Sequence, residues 1–326
     1  MRNLEVKLLV VFVAVVMVGW GLYSVDYTDY KADITADADG VDVELSGFST
    51  ADYQYLLLSG ADVPDELYYY LDDSMAAEVT TYKQSHFFDV LDSLLDVRHA
   101  GHGVRMDAQQ LETMMASGNG AGKGVVFCSG AIPYNLYTGV TPILHDWVMG
   151  GGTVYWMGTH MGKQVSMPDG TLSKNNPSQF FPEGSIADGK EDRFAYNQSE
   201  WSMYLGMTQA RCTTGLNVNY PGLDAVSLGM TDDEGYSEMA ECDFGNGRIY
   251  VAGYNYSMDD STLVFFTMAD AITSGIDHDT VRICSGTGNK GHSSVTVHIE
   301  ASVQPGDLLR FSIGVPYVSW AVTEEF

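Results

Sequence analysis

Gly124-Val-Val-Phe-Cys-Ser-Gly-Ala-Ile-Pro133, Thr141-Pro-Ile-Leu-His-Asp-Trp-Val-Met-Gly-Gly-Gly152 and Thr153-Val-Tyr-Trp-Met-Gly158 together decide the fold. The first and last are short apolar runs rich in β-branched and aromatic residues, the pattern of strands buried on both faces. Between them, Thr141 is an N-cap and Pro142 a first-turn proline for a helix over 143–149, which Gly150-Gly-Gly152 stops. Strand, helix and strand with short connections read as parallel neighbours, because parallel strands need a crossover.

The same alternation extends in both directions. Upstream, Tyr53-Gln-Tyr-Leu-Leu-Leu58, ended by Ser59-Gly60, reads as an earlier buried parallel strand. Phe87, Leu91, Leu94 and Leu95 recur at helical spacing after Ser85 as N-cap, and Val97-Arg-His99 reads as the next strand. Asp107-Ala-Gln-Gln110 has the form of a capping box, with Ala108, Leu111 and Met115 on one helical face. Downstream, residues 162–222 are rich in Gly, Pro, Asn and Ser without periodicity, an excursion expected to cover the sheet's carboxyl edge. Strand signals return at Asp224–Leu228, Ser237–Asp243 and Gly245–Gly253, the last with a hairpin turn at Asn246-Gly247. Asp260 and Ser261 cap a helix carrying Val264, Met268 and Ile272, and Gly275 stops it. Val295–Ile299, Leu308–Ile313 and Tyr317–Val322 alternate like antiparallel strands, forming either a small β-subdomain or an extension of the main sheet.

The chain has 326 residues, with Asp+Glu 43 against Lys+Arg 16 and a formal charge of −27. That charge excludes nucleic acid as a partner, since each phosphate meets repulsion instead of releasing counterions. Leu8 to Tyr23 carries no charge, and Leu4 to Val25 approaches the length that crosses hydrocarbon. Arg2 and Lys7 flank its start and Asp26, Asp29 and Asp33 follow its end, so the basic side faces the cytoplasm and the body lies outside. A cleaved leader is the alternative, but Gly19-Trp-Gly-Leu-Tyr-Ser24 has no small-x-small cleavage site. The expected organisation is a transmembrane anchor at 1–25, an acidic spacer with a possible strand or hairpin at 26–48, an α/β domain at 49–277, and a β extension at 278–326. Four cysteines, Cys128, Cys212, Cys242 and Cys284, allow three full pairings; Cys128 reads as a packing residue, and Cys212 with Cys242 as a possible bridge. Asn197-Gln-Ser199 and Asn255-Tyr-Ser257 are glycosylation triplets.

Ser129-Gly-Ala-Ile-Pro133, followed by His145 to Gly162 and later by Asp243-Phe-Gly-Asn-Gly-Arg-Ile-Tyr-Val-Ala-Gly253, resembles the class I glutamine-amidotransferase-like superfamily, nearest its trehalose-utilisation-like and membrane-anchored archaeal branches. The resemblance covers roughly residues 50–277. It implies a flavodoxin-like, doubly wound, mostly parallel sheet, here with a C-terminal antiparallel extension. It also implies a nucleophile elbow after the strand ending at Gly158, where the family carries a cysteine between glycines. In Gly158-Thr-His-Met-Gly162, His160 stands at the central position and Thr159 beside it, so amidase chemistry of the family's kind is not expected.

His160 is the candidate catalytic residue, as a base, a ligand or a hydrogen-bonding group at a sheet edge where α/β ligands bind. Ser129, Gly130 and Ala131 are candidate binding residues that correspond to the family's oxyanion turn, joined by Gly158 and Thr159. His298-Ile-Glu300 has the spacing of a triad's His and Glu but lies in the β tail. His99-Ala-Gly-His102 lacks a third metal ligand nearby, and nothing in the sequence calls for a metal or a cofactor. Twenty tyrosines, including Tyr68-Tyr-Tyr70, Tyr134 and Tyr137, suit carbohydrate stacking or a protein interface and equally suit a packed layer. The expected function is a membrane-anchored, extracytoplasmic, non-catalytic module that binds a cell-envelope protein or carbohydrate. The alternative is an extracytoplasmic hydrolase or carbohydrate-processing enzyme using His160, with Asp169, Glu183 and Asp188 as possible partners.

Overall fold

In the computed structural model, the described residues are 31–36, 40–46, 52–58, 64–97, 101–139, 142–158, 161–174, 176–186, 194–195, 197–198, 210–211, 215–253, 271–272, 282–287, 294–299, 308–313 and 320–325. The chain forms two units: 1–61 with 203–206 and 278–326, and 62–202 with 207–277.

The second unit is a mixed α/β body around a seven-stranded sheet. In chain order its strands are β1 (Glu66–Tyr70), β2 (Val104–Met106), β3 (Lys123–Phe127), β4 (Thr153–Gly158), β5 (Asp224–Ser227), β6 (Met239–Phe244) and β7 (Gly247–Gly253). Their spatial order is β5-β6-β7-β4-β3-β1-β2. β2, β1, β3, β4 and β7 run parallel, while β6 and β5 complete the sheet antiparallel. Counted along the chain, the five parallel strands stand in the order 2-1-3-4-5, so the winding direction reverses between β1 and β3. Ligands of such sheets bind outside the strand carboxyl ends at that reversal.

Helices pack on both faces. α1 (Thr81–Val97) buries Phe87, Phe88, Leu91 and Leu95, with the Phe88 ring stacked on Tyr69 at 4.5 Å. α2 (Ala108–Met115), α3 (Tyr134–Tyr137) and α4 (Ile143–Met149) bury Leu111, Leu136 and Trp147 in one core with Tyr70, Phe127 and Trp156. Tyr69 and Tyr70 can serve opposite faces because successive strand side chains alternate. The capping box at α2 is formed: Asp107 accepts from the Gln110 amide, and Gln110 accepts from the Asp107 amide.

Several local expectations shift. α1 starts at Thr81, before Ser85, because Thr80 accepts the Gln84 amide and opens the first turn. The strand expected at 97–99 is found at Val104–Met106. Cys242 is a free, buried thiol and makes no bridge to Cys212. Its β6 position points into the apolar core with Ala240, which excludes a partner from outside.

The first unit corrects the reading of Tyr53–Leu58 as a parallel strand and of 49 as the start of the α/β body. Asp52–Leu58 lies antiparallel between Arg282–Thr287 and Leu308–Ile313, and the latter pairs with Trp320–Glu325. A continuous apolar run marks burial on both faces but not the direction of its neighbours, which is why the pattern misled. Lys31–Ala36 and Val41–Ser46 form a hairpin joined by Ser294–Ile299. The C-terminal strands therefore pair with the N-terminal segment and do not extend the seven-stranded sheet. Among the described residues no helix is long and apolar enough to cross a membrane; the expected anchor at 4–25 lies outside them.

Three glycines bring backbones together at the sheet's amino edge. A Cβ on Gly120 would stand 2.3 Å from the Gly152 nitrogen, and one on Gly247 would stand 2.1 Å from the Val148 carbonyl oxygen and 2.3 Å from that of Gly152. Backbone atoms cannot yield as a flexible side chain does, so Gly247→Ala is expected to cost about 1–3 kcal/mol or more. Gly101→Ala, which meets nothing within 4 Å, is the control and should leave the urea midpoint unchanged.

Candidate functional site

The carboxyl edge gathers the strand ends. β3 and β4 are in register at Phe127 and Trp156, and Gly158 pairs with Gly253 of β7. Beyond β3, Cys128 leads into Ser129-Gly130-Ala131, all buried. Gly158 has φ +135 and faces Gly130, whose Cα would lie 3.2 Å from a Cβ at 158. Both turns need glycine, since Gly130 also has positive φ, at 75.

The turn that resembles an oxyanion loop is engaged by its own chain. The Ser129 carbonyl accepts the amides of Glu78 and Val79 at 3.0 and 3.1 Å. The Ser129 hydroxyl donates to the Ala131 carbonyl at 2.8 Å and accepts the Ala131 amide at 3.3 Å. Ile132 and Pro133 pair in parallel with Val165 and Ser166, and the buried Ser166 hydroxyl donates to the Ala76 carbonyl. Two segments, 76–79 after β1 and 161–166 after β4, thus meet over the point where the winding reverses. The 161–166 segment belongs to the Gly- and Pro-rich excursion.

Of the candidate residues, Ser129, Gly130, Ala131 and Gly158 come together at this edge, whereas Thr159 and His160 lie outside the described residues. Asp188 does too; Asp169 closes its own turn by accepting from Thr171, and Glu183 is exposed. His298 Nδ1 pairs with the Asp42 carboxylate at 2.7 Å in the other unit. His102 pairs with Asp96, a contact that holds its pKa above the usual value; His99 lies outside the described residues. No cluster of three potential metal ligands exists among the described residues. Tyr69 and Tyr70 belong to the core, while Tyr134 is exposed.

The electrostatics disfavour a thiolate here. Burial alone pushes the Cys128 thiol well up, and Cys242 is pushed up to about 12 by burial, then by Asp243, Asp224 and Glu241. Burial also raises the Asp72 carboxyl just past β1, yet hydrogen bonds from the Ser74 hydroxyl and from the backbone amides of Ala108, Ser74 and Met75 outweigh it and hold the group below the usual range.

One carboxyl is different. Glu238 precedes Met239 at the β6 end level with this edge, since Met239 pairs with Ala252. It is 9 % exposed, its backbone amide donates to the Met230 carbonyl, and its Oε1 accepts the Met230 amide at 3.4 Å. Burial pushes it up to about 7, only partly offset by that amide. In the sequence Glu238 falls in the strand-like run Ser237–Asp243 with nothing to single it out. The backbone of Gly229 packs close against it, where a Cβ would stand 2.5 Å from the Glu238 Cγ, a proximity no local pattern announces.

No protein-family model matches the chain, and no curated protein is similar to it. Among solved structures, it is similar to the exo-β-1,4-mannosidase Op5Man5 from Opitutaceae bacterium strain TAV5, at 13% identity and a TM-score of 0.39. The likeness covers 65% of this chain but 36% of the mannosidase, and at that score it gives no support to a shared activity.

Proposed function

We propose that this chain is a non-catalytic binding or scaffolding module on an amidotransferase-like fold, with residues 4–25 in a cell membrane, the N-terminus cytoplasmic and the body extracytoplasmic. The 2-1-3-4-5 order of the parallel strands is that of flavodoxin-like sheets, which supports the finer fold reading. One observation carries the functional reading: the turn that would stabilise a developing oxyanion is buried, its Ser129 carbonyl accepts the Glu78 and Val79 amides, and its Ser129 hydroxyl and Ala131 bond to each other. An oxyanion hole needs donors aimed at substrate, and here the Ala131 amide donates to the Ser129 hydroxyl within the turn. The partner class is a cell-envelope protein or carbohydrate, in keeping with a surface whose −27 charge repels polyanions.

The rival reading, a hydrolase or carbohydrate-processing enzyme, is favoured by Glu238, a carboxyl poised near neutrality at the same edge. The two separate in a turnover assay of the full chain in detergent, with L-glutamine and p-nitrophenyl glycosides as substrates. The binding reading expects ammonia and nitrophenol release at the buffer rate, with His160→Ala and Glu238→Gln indistinguishable from the parent. Release that falls by about 100-fold in either variant, the scale of a lost general acid or base, would replace it with the enzyme.

A further inference from the structure

We propose that Asn197 is an acceptor for N-linked glycosylation; this rests on the outward-facing placement of the body proposed above. Asn197 opens the triplet Asn197-Gln-Ser199. Its two-residue strand, Asn197–Gln198, pairs antiparallel with Met230–Thr231 and, among the described residues, is the outermost of a four-stranded sheet. Asn197 is exposed. Its side-chain nitrogen donates one hydrogen to the Asp232 carbonyl at 3.3 Å, which orients the amide and leaves the second hydrogen of the same nitrogen for chemistry. The second triplet, at Asn255, lies outside the described residues.

The co-reactant is a lipid-linked oligosaccharide. A bond forms between Asn197 Nδ2 and the anomeric carbon as the bond from that carbon to the lipid phosphate oxygen breaks. The nitrogen gives up one proton to a base of the transferase, the lipid phosphate leaves with the bonding pair, and nothing is oxidised or reduced. An unpaired strand edge is a template for another chain, and natural sheets cover such edges. A neutral glycan on Asn197 covers this one with bulk.

The test is production of the full chain in a eukaryotic secretory host, with an added sequon tag after Phe326 to report the compartment. The expected result is one glycan on the tag and one on Asn197, the latter read as conversion of Asn197 to aspartate by peptide N-glycosidase in the tryptic map. Asn197→Gln and Ser199→Ala should each remove that glycan alone. A glycosylated tag with an unmodified Asn197 overturns the inference and leaves the placement standing. A bare tag together with an unmodified Asn197 overturns both.

Discussion

Glu238→Gln is expected to make the α/β unit more stable than the parent at pH 8 by about 3 kcal/mol, and to make no difference near pH 4. The parent carboxyl moves from an ordinary 4.5 to about 7 on folding, because burial disfavours its charged form. A folded state that binds the proton more tightly keeps this contribution below pH 4.5 and loses it as pH rises through 7. The shift corresponds to about 3 kcal/mol. The amide of Gln keeps an acceptor for the Met230 N–H and never ionises. In a unit of this size each kcal/mol moves the melting midpoint by about 2–4 °C, so the variant should melt roughly 6–12 °C higher at pH 8. The carboxylates that titrate in both proteins cancel in the difference between the two profiles. Parallel parent and variant curves from pH 5 to 8 would show that Glu238 is solvated.

Trp156→Ala should be the costliest single truncation in the sheet, at about 3–5 kcal/mol. Trp156 is fully buried on β4, in register with Phe127 on one side and Val251 on the other, and its ring centroid lies 5.7 Å from that of Phe127. Both neighbouring strands are fixed by parallel pairing, so they cannot collapse into the void, and the cavity contribution adds to the lost transfer energy. Trp156→Phe keeps most of the volume and should cost less. Tyr82→Ala, at a residue 82 % exposed, should stay within about 0.5 kcal/mol. The check is the urea midpoint followed by circular dichroism, which does not depend on the removed fluorophore. Equal midpoints for Trp156→Ala and Tyr82→Ala would mean that the core is not closed around β4.

The legible part of this protein was the part whose pattern is local. Val125–Phe127, Val154–Trp156 and the glycines at 150–152 spelled out strand, helix stop and strand, and the capping box at Asp107 and Gln110 is formed as spelled. Strand partnership was not local, and Tyr53–Leu58 shows why: its apolar run marked a strand, while its direction was set by segments more than 200 residues later. At the edge, the sequence identified the Ser129–Ala131 turn and Gly158 but not what lies on them. The contacts from Glu78, Val79 and Ser166 join pieces with no shared motif. Glu238 was invisible for the same reason, since its burial involves a backbone approach by Gly229, nine residues earlier.

Apart from residues 203–206, the chain leaves one unit after residue 61 and returns to it at residue 278. On the ribosome, the sticky segment Tyr53–Leu58 emerges without either of its partners, Arg282–Thr287 and Leu308–Ile313. At about 5–20 residues per second the wait lasts roughly 10–45 s. The inserted α/β body has time to finish folding first, while its host module stays an open clasp. Newborn chains therefore need a holdase, or a translocating pore, for longer than their own helices need to form. Truncation between residues 288 and 307 should leave the α/β body complete and Tyr53–Leu58 paired on one side only.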